Sequence, residues 1–520
     1  MEQDHRCTRL EVTPGATFVG IRSLKIALVA AEIAPFAKTG GLADVVASLG
    51  RALHRQGHEV RLFLPLYGTV EAAGFEVTPT SGSRDIQLDY PGRSVTVGVS
   101  TVPLPNSMGD DGSTLDVELL DCPELYHRDG YYTSDPDEPL RWATLCRGVL
   151  EVLAQSAWAP DVIHCNDWHT GLLPLYLGTS YRSVPSLAAT ATLLSIHNLS
   201  FSGIFAADAV DQLGLSAQRH LFHQERLQAG LVSFLETGIL YATWLSTVSE
   251  TYAREIQDPE HGMGLDELLR TRADHLVGIV NGIDPTEWSP DQDLLIPHRF
   301  TAGDLLGKDR CREALLDRFN IAGESSGPSR PGWRPEPVMA IVSRLTEQKG
   351  FELLTDILPT HLQHGHLRLV VLGSGEERYE RYFQRLRDAF PDRVGVYFGF
   401  DEELAHWIEA GADVFLMPSR YEPCGLNQLF SMSYGTVPLV RRTGGLADTV
   451  QQWDPATGTG TGFVFDEFRS QALSDTFDQV LATWADPYEW AVLMGNGMAQ
   501  DFSWDRQSAH YVELYERILE

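Results

Sequence analysis

Pro418 to Val450 reads P-S-R-Y-E-P-C-G-L-N-Q-L-F-S-M-S-Y-G-T-V-P-L-V-R-R-T-G-G-L-A-D-T-V. It sets Glu422 beside a Pro-Cys-Gly turn, then runs through a helix-like segment and a short apolar strand into a Gly-Gly turn. Turns of this kind aim backbone N–H groups at a ligand. Six of these residues occur twice, because T-G-G-L-A-D stands at Thr39 to Asp44 and again at Thr443 to Asp448. Each copy follows a β-branched or aliphatic run and precedes a helix-like run. The same strand-turn-helix hexapeptide in both halves implies two related α/β domains facing one site.

A chain of 520 residues accommodates two such domains, each of about 250 residues and able to bury its own core. Hydrophobic content of 43% with 21% charged residues is that of a globular protein and excludes disorder and fibrous repeats. Forty basic against 71 acidic side chains give a formal charge of -31, which argues against nucleic acid or an anionic membrane as partner. An anionic substrate must then be held by a few local cations and backbone amides. Six cysteines without C-x-x-C spacing imply reduced thiols in a cytoplasmic setting and no structural zinc. The longest apolar runs are strand-sized, short of the ~20 residues that cross a membrane. Residues 1–24 mix charges, lack the apolar region of a signal peptide, and read as an unstructured leader.

Leu24 to Ala31 is a continuous apolar run, the pattern of a buried parallel strand. It leads through E-I-A-P-F-A-K-T-G-G into a helix, so Lys38, Gly40 and Gly41 sit where α/β folds cradle anions. Two readings stand here: anion binding, or glycines that only allow helix and sheet to pack closely, with Lys38 solvated. Another strand is read at His58 to Pro65, and a polar surface loop at Thr101 to Thr114. Asp161 to Cys165 is an apolar strand ending in N-D-W-H-T-G, and Ala191 to Ile196 one ending in H-N-L-S-F-S-G-I-F. Polar residues at the carboxyl ends of parallel strands are where ligands sit, which makes Asp167, His169 and His197 candidates. The spacing of His164, Asp167 and His169 matches no usual ligand motif, which argues against a metal; a core role is the alternative for each histidine. Polar, Pro-containing sequence after Asp284 marks a boundary, giving domains at 25–284 and 285–500.

In the second half, 308–319 reads as a charged helix and 321–337 as a Pro/Gly/Ser-rich loop. V-M-A-I-V at Val338 to Val342 then runs into S-R-L-T-E-Q-K-G, which puts Arg344 and Lys349 on either side of a turn. Two such cations can neutralise a diphosphate, Arg by its planar fork and Lys as a point charge. Leu367 to Gly375 is a strand with a glycine turn. Arg378 stands where a dinucleotide fingerprint needs its third glycine, which disfavours a nicotinamide cofactor. Strands at Val394 to Phe398 and Ala412 to Met417 follow, the latter delivering Glu422 to the site-forming end.

On A-E-I-A-P-F-A-K-T-G-G-L-A-D-V, N-D-W-H-T-G, H-N-L-S-F-S-G-I-F, V-N-G-I-D, S-R-L-T-E-Q-K-G and the block from Pro418 to Val450, the chain resembles the bacterial glycogen synthases and plant starch synthases. The resemblance spans nearly the whole chain. It implies a GT-B fold: two Rossmann-like domains facing a deep cleft, with a final helix in 501–520 crossing back to the first. It implies transfer of glucose from ADP-glucose to an α-1,4-glucan (glycogen or a maltooligosaccharide) with retention, without metal or cofactor, ADP-glucose being a co-substrate. Lys38 with Gly40 and Gly41 resembles the family's sugar-nucleotide turn, Arg344 and Lys349 the pair on the leaving diphosphate, and Glu422 the essential carboxylate that holds the transferred glucose. His197, Asp167 and Asn198 resemble groups that contact sugar and orient acceptor. Cys424, Gly425, Leu426, Thr443, Gly444 and Gly445 fall at the family's substrate-binding turns.

Three departures accompany the resemblance. Phe400 aligns where the family usually carries a tyrosine against adenine, which preserves stacking and removes a hydroxyl. The 321–337 loop is longer and richer in proline. E-P-C-G-L-N matches the starch synthase form, with Asn427 in place of the bacterial threonine, and leaves donor preference between ADP- and UDP-glucose open. The alternatives are a same-fold transferase acting on small acceptors, a glucan phosphorylase, and a glucan-binding protein without activity.

Overall fold

The computed structural model describes residues 22–80, 85–109, 112–321 and 335–520. The leader up to residue 21 and most of the 321–337 loop lie outside the described residues. Two compact units emerge: the chain up to Gly282 together with Trp504–Glu520, and Ile283–Ser503.

The first unit is built on a ten-stranded sheet. Its strands are β1 (Lys25–Val29), β2 (Glu59–Pro65), β3 (Thr78–Pro79), β4 (Ile86–Tyr90), β5 (Arg93–Pro103), β6 (Asp116–Asp121), β7 (Val162–Asn166) and β8 (Ala191–Ile196), then β11 (Trp244–Thr247) and β12 (Leu276–Gly278), with β9 (Ile204–Ala206) and β10 (Leu231–Ser233) forming a separate antiparallel pair. The order is β12-β11-β8-β7-β1-β2-β6-β5-β3, with β4 paired to β5. From β12 to β6 all neighbours run parallel. Their continuous apolar runs are buried on both faces, as a sheet covered by helices requires.

One edge departs from the alternation of strand and helix. β3, β4 and β5 pair antiparallel, and β4 alternates buried Ile86, Leu88 and Tyr90 with exposed Gln87 and Asp89, the pattern of a sheet with one wet face. The loop read from Thr101 is corrected accordingly, since β5 continues through Pro103 with Val102 buried against the core. The C-terminal helix Trp504–Ile518 belongs to this first unit. Asp505 accepts from Arg55 at 2.9 Å, and the buried Tyr515 hydroxyl bonds His164 Nδ1 at 2.8 Å.

The second unit carries β13 (Val338–Val342), β14 (Arg368–Gly373), β15 (Val394–Phe398), β16 (Val414–Met417), β17 (Val437–Arg441) and β18 (Phe463–Phe465), all parallel, in the order β15-β14-β13-β16-β17-β18. Successive residues of a strand point to opposite faces, and the core divides accordingly. Leu369 and Val371 join one apolar cluster with Phe351, Leu473 and Phe477, while Val370 and Leu372 join another with Leu315, Leu404 and Ile408. Helices thus cover both faces. Among the described residues no helix is long and apolar enough to cross a membrane.

Candidate active site

In an open parallel sheet, ligands bind at the carboxyl ends of the strands where the winding direction reverses. In the first unit that reversal lies between β1 and β7, and in the second between β13 and β16. Lys38, Gly40 and Gly41 follow β1 and Asp167 follows β7; Arg344 and Lys349 follow β13 and Glu422 follows β16. These candidates therefore flank the two switch points, while His197 and Asn198 follow β8, Phe400 follows β15 and Thr443 to Gly445 follow β17.

In the second unit, three turns are fused by close backbone approach. Gly350, at φ +70°, sits where an added Cβ would lie 2.0 Å from the Pro418 carbonyl oxygen, so only glycine lets the turn after β13 reach the loop after β16. The Arg420 N–H donates to the Gln348 carbonyl at 2.8 Å and seals the join. Across it, Lys349 Nζ meets Glu422 Oε2 at 2.6 Å, and the same oxygen accepts from Ser419 Oγ at 2.9 Å. Glu422 and Ser419 are buried. Arg344 is exposed and, among the described residues, enters no ion pair, a free cation in a strongly acidic chain.

The third turn follows β17. The Gly445 N–H donates to the carbonyls of Glu422 and Pro423, both at 3.1 Å. Thr443, Gly444, Gly445 and Leu446 are all buried, so this Gly-Gly turn shapes the E-P-C-G loop from behind, and the Gly445 amide is committed to it. Gly425 (φ +74°) turns the chain after the buried Cys424, and Leu426 precedes the helix Asn427–Ser433. Asn427 donates from Nδ2 to the Val342 carbonyl at 2.8 Å, tying that helix to the end of β13. Phe400 follows β15 with 79% of its surface exposed, at the same carboxyl edge of the sheet. The G-S-G turn after β14 is occupied structurally, since a Cβ on Gly373 would lie 1.9 Å from the Ser343 carbonyl oxygen.

In the first unit, Gly40 precedes the helix Gly41–Arg55 with no side-chain cap, and first-turn N–H groups have no partner within a helix. Lys38 Nζ pairs with Asp44 Oδ1 at 2.8 Å, both partly exposed. The turn is braced from inside by Glu32, which is buried and accepts from the Thr39 N–H, from Thr39 Oγ1 at 2.7 Å, and from the Tyr132 hydroxyl.

After β7, Asp167 adopts φ +57° and ψ −178°, a region that glycine alone enters without strain. It is held there by its N–H to the Ser195 carbonyl at 2.9 Å and by its Oδ1, which accepts the His197 N–H at 2.7 Å. Burial pushes its carboxyl up to about 7, against the backbone bonds from His197 and Asn198 that favour the charged form. Asn166 donates from Nδ2 to the Val29 and His164 carbonyls, leaving its Oδ1 to accept from His197 Nε2 at 2.9 Å. His197 therefore carries its proton on Nε2 and its lone pair on Nδ1, and burial holds its pKa down to about 4, so the ring is neutral at pH 7. Asn198 uses its Oδ1 to accept the Ser200 N–H at 3.1 Å and shapes the following turn.

The other two histidines go separate ways. Both nitrogens of His164 are taken, by Tyr515 and by Ser195 Oγ at 2.6 Å, in the core beneath the strand ends. His169 is buried among Tyr132, Trp142 and Trp168, with ring centroids 4.9, 4.5 and 3.9 Å away. Sequence reading missed Ser419, Glu32, Tyr132 and Asn166. Asn166 and Ser419 adjoin quoted candidates and carry the signal of a polar residue at a strand end, whereas Tyr132 meets Glu32 across 100 residues of chain and has no local signal.

With this geometry in place, similarity to known proteins is specific. A family model described as starch synthase catalytic domain matches residues 25–271, and one described as glycosyl transferases group 1 matches residues 330–491. The chain is a retaining glycosyltransferase of the GT-B fold. It is 41% identical to a glycogen synthase of Moorella thermoacetica, covering 96% of this chain and 98% of that one, and 42% identical to one of Thioalkalivibrio sulfidiphilus, covering 95% and 100%. The catalytic domain of starch synthase IV from Arabidopsis thaliana, solved with ADP and acarbose, superposes with a TM-score of 0.85 at 30% identity over 96% of this chain and 100% of that one. The chain belongs to the glycogen synthase family, which it shares with the starch synthases.

Proposed function

We propose that this protein transfers glucose from ADP-glucose to the non-reducing 4-hydroxyl of an α-1,4-glucan, with retention, and releases ADP. The observation that carries the reading is the cluster at the switch point of the second unit, where the buried Glu422 is held by Lys349 and Ser419, and Arg344, which enters no ion pair among the described residues, stands on the same turn as Lys349. Transfer from a sugar nucleotide builds negative charge on the departing diphosphate and positive charge at the anomeric carbon. Fixed cations and a fixed carboxylate stabilise both without reorganising during the reaction. Arg344 and Lys349 take the diphosphate, Glu422 the glucosyl ring, and the exposed ring of Phe400 the adenine face. In the first unit, the Lys38 turn adds cation and amides toward phosphate. Neutral His197 contacts the sugar, and Asp167 orients the acceptor hydroxyl. The starch synthase relative solved with ADP and acarbose supports both substrate classes.

Incubation with labelled ADP-glucose or UDP-glucose, each with glycogen, maltooligosaccharides or a small acceptor, tests the assignment. Label should enter polymer from ADP-glucose; label confined to a small glucoside, or faster use of UDP-glucose, would overturn it. Glu422→Ala should lower kcat by about 10³-fold or more, in the range for removing a group that stabilises transition-state charge, while the protein stays folded. Near-normal turnover by that variant would remove Glu422 from the mechanism and place the catalytic centre elsewhere.

A further inference from the structure

We infer that Ser419 is a positioning residue for Glu422, keeping the carboxylate in place when Lys349 is drawn to a diphosphate. The inference rests on the reading of Glu422 and Lys349 given above.

Both donors converge on one oxygen. Lys349 Nζ lies 2.6 Å from Glu422 Oε2, and Ser419 Oγ 2.9 Å from the same atom. No described residue donates to Oε1, so the carboxylate is fixed through one oxygen and presents the other. The two donors differ in what else they can do. Lys349 carries a flexible stem with 17% of its side chain exposed, and a compact ammonium on such a stem reorients readily. A diphosphate, with more negative charge than one carboxylate, competes for it. Ser419 has no exposed surface, and its backbone is pinned by Arg441, which donates from Nη1 to the carbonyl of neighbouring Arg420 at 2.6 Å and reaches the Ser419 carbonyl at 3.5 Å. Its hydroxyl cannot follow the ligand. When Lys349 moves, Ser419 keeps Oε2 anchored and Oε1 aimed. Serine also suits the position because a hydroxyl donates to an ionised carboxylate without adding charge beside the anomeric centre.

The other charged groups on the packed turns do not substitute for it. Arg420 is turned to Glu352 at 2.6 Å, and Arg441 to backbone carbonyls. Lys349 is then the one cation seen on Glu422, and Ser419 its one neutral donor, among the hydrogen bonds described.

The test uses the full chain with Ser419→Ala, Ser419→Thr and Glu422→Gln, measuring kcat and KM for ADP-glucose, ADP binding, and thermal unfolding. Ser419→Ala should lower kcat by about 10- to 100-fold, the usual range for a hydrogen bond to a charged group, with ADP affinity changed less than about threefold because the diphosphate contacts remain. Losing the donor loosens the carboxylate and leaves the diphosphate contacts in place, so the loss should fall on kcat with KM for ADP-glucose changed less than about threefold. Ser419→Thr, which keeps the hydroxyl, should restore kcat to within about threefold of the parent. A kcat within twofold of the parent in Ser419→Ala overturns the inference. So does a lowered kcat that Ser419→Thr fails to restore together with a lowered melting temperature, which would mark Ser419 as packing only. Glu422→Gln separates the two readings: if it stays active the role of Glu422 fails, and if it is inactive while Ser419→Ala is normal, only the positioning role falls.

Discussion

An added Cβ at Gly40 would meet nothing within 4 Å, whereas at Gly444 it would lie 1.9 Å from the Glu422 carbonyl oxygen. These are the same residue of the same hexapeptide in two settings. After β1 the chain makes an excursion from Ala30 to Gly40 before its helix begins at Gly41, while after β17 only Arg442 and Thr443 intervene before the helix at Gly444. The longer connection carries the first copy out to solvent; the shorter one presses the second against the neighbouring E-P-C-G loop. Six identical letters encode a Gly-Gly turn and a helix start. The length of chain before them decides whether their glycines offer room to a ligand or to another piece of backbone.

Substitutions can break this contrast. Gly444→Ala combines φ +44° with a backbone clash, and should cost about 3 kcal/mol or more in unfolding free energy, read as a large fall in melting temperature. Lys38→Ala should raise KM for ADP-glucose by about tenfold, one cation's share of a charge-assisted contact, with little change in melting. A third measurement sharpens the first unit's side. The Asp167 carboxyl is pushed up to about 7 by burial, so activity that needs its charge should rise as pH climbs through about 7, and Asp167→Asn should flatten that limb. The stability slope has the opposite sign, because the folded state binds the proton more tightly than the unfolded chain, so stability is lost as pH rises from the ordinary carboxylate range to about 7. Gly40→Ala should change stability by no more than about 0.5 kcal/mol, since its φ of −163° suits any residue and the site is open. A loss as large as that of Gly444→Ala would erase the distinction between the copies.

The buried parallel strands were legible in the letters. β8 and β15 run where their apolar segments do, because a strand covered on both faces needs an unbroken apolar run. Site candidates were legible for a related reason: polar residues ending such runs lie at the carboxyl edge by construction. What the letters hid depends on tertiary partners. Nothing near Tyr132 announces Glu32, and nothing in N-D-W-H announces that Asp167 is held in a glycine-like backbone by His197. The repeated hexapeptide invited one reading for both copies, and burial separates them. The edge strands β3 to β5 were missed because they are short or half-exposed, and antiparallel pairing leaves only alternation as its mark.

The helix Trp504–Ile518 belongs to the first unit although the whole of the second unit is encoded before it. During synthesis, the N-terminal sheet therefore emerges without the helix that brings Tyr515 to His164. Domains generally fold as units in order of emergence, yet here the earlier one waits for the later to be made. A ribosome stalled anywhere between Ile283 and Ser503 would hold a first unit with this flank uncovered, the stage at which a chaperone has most to gain by binding.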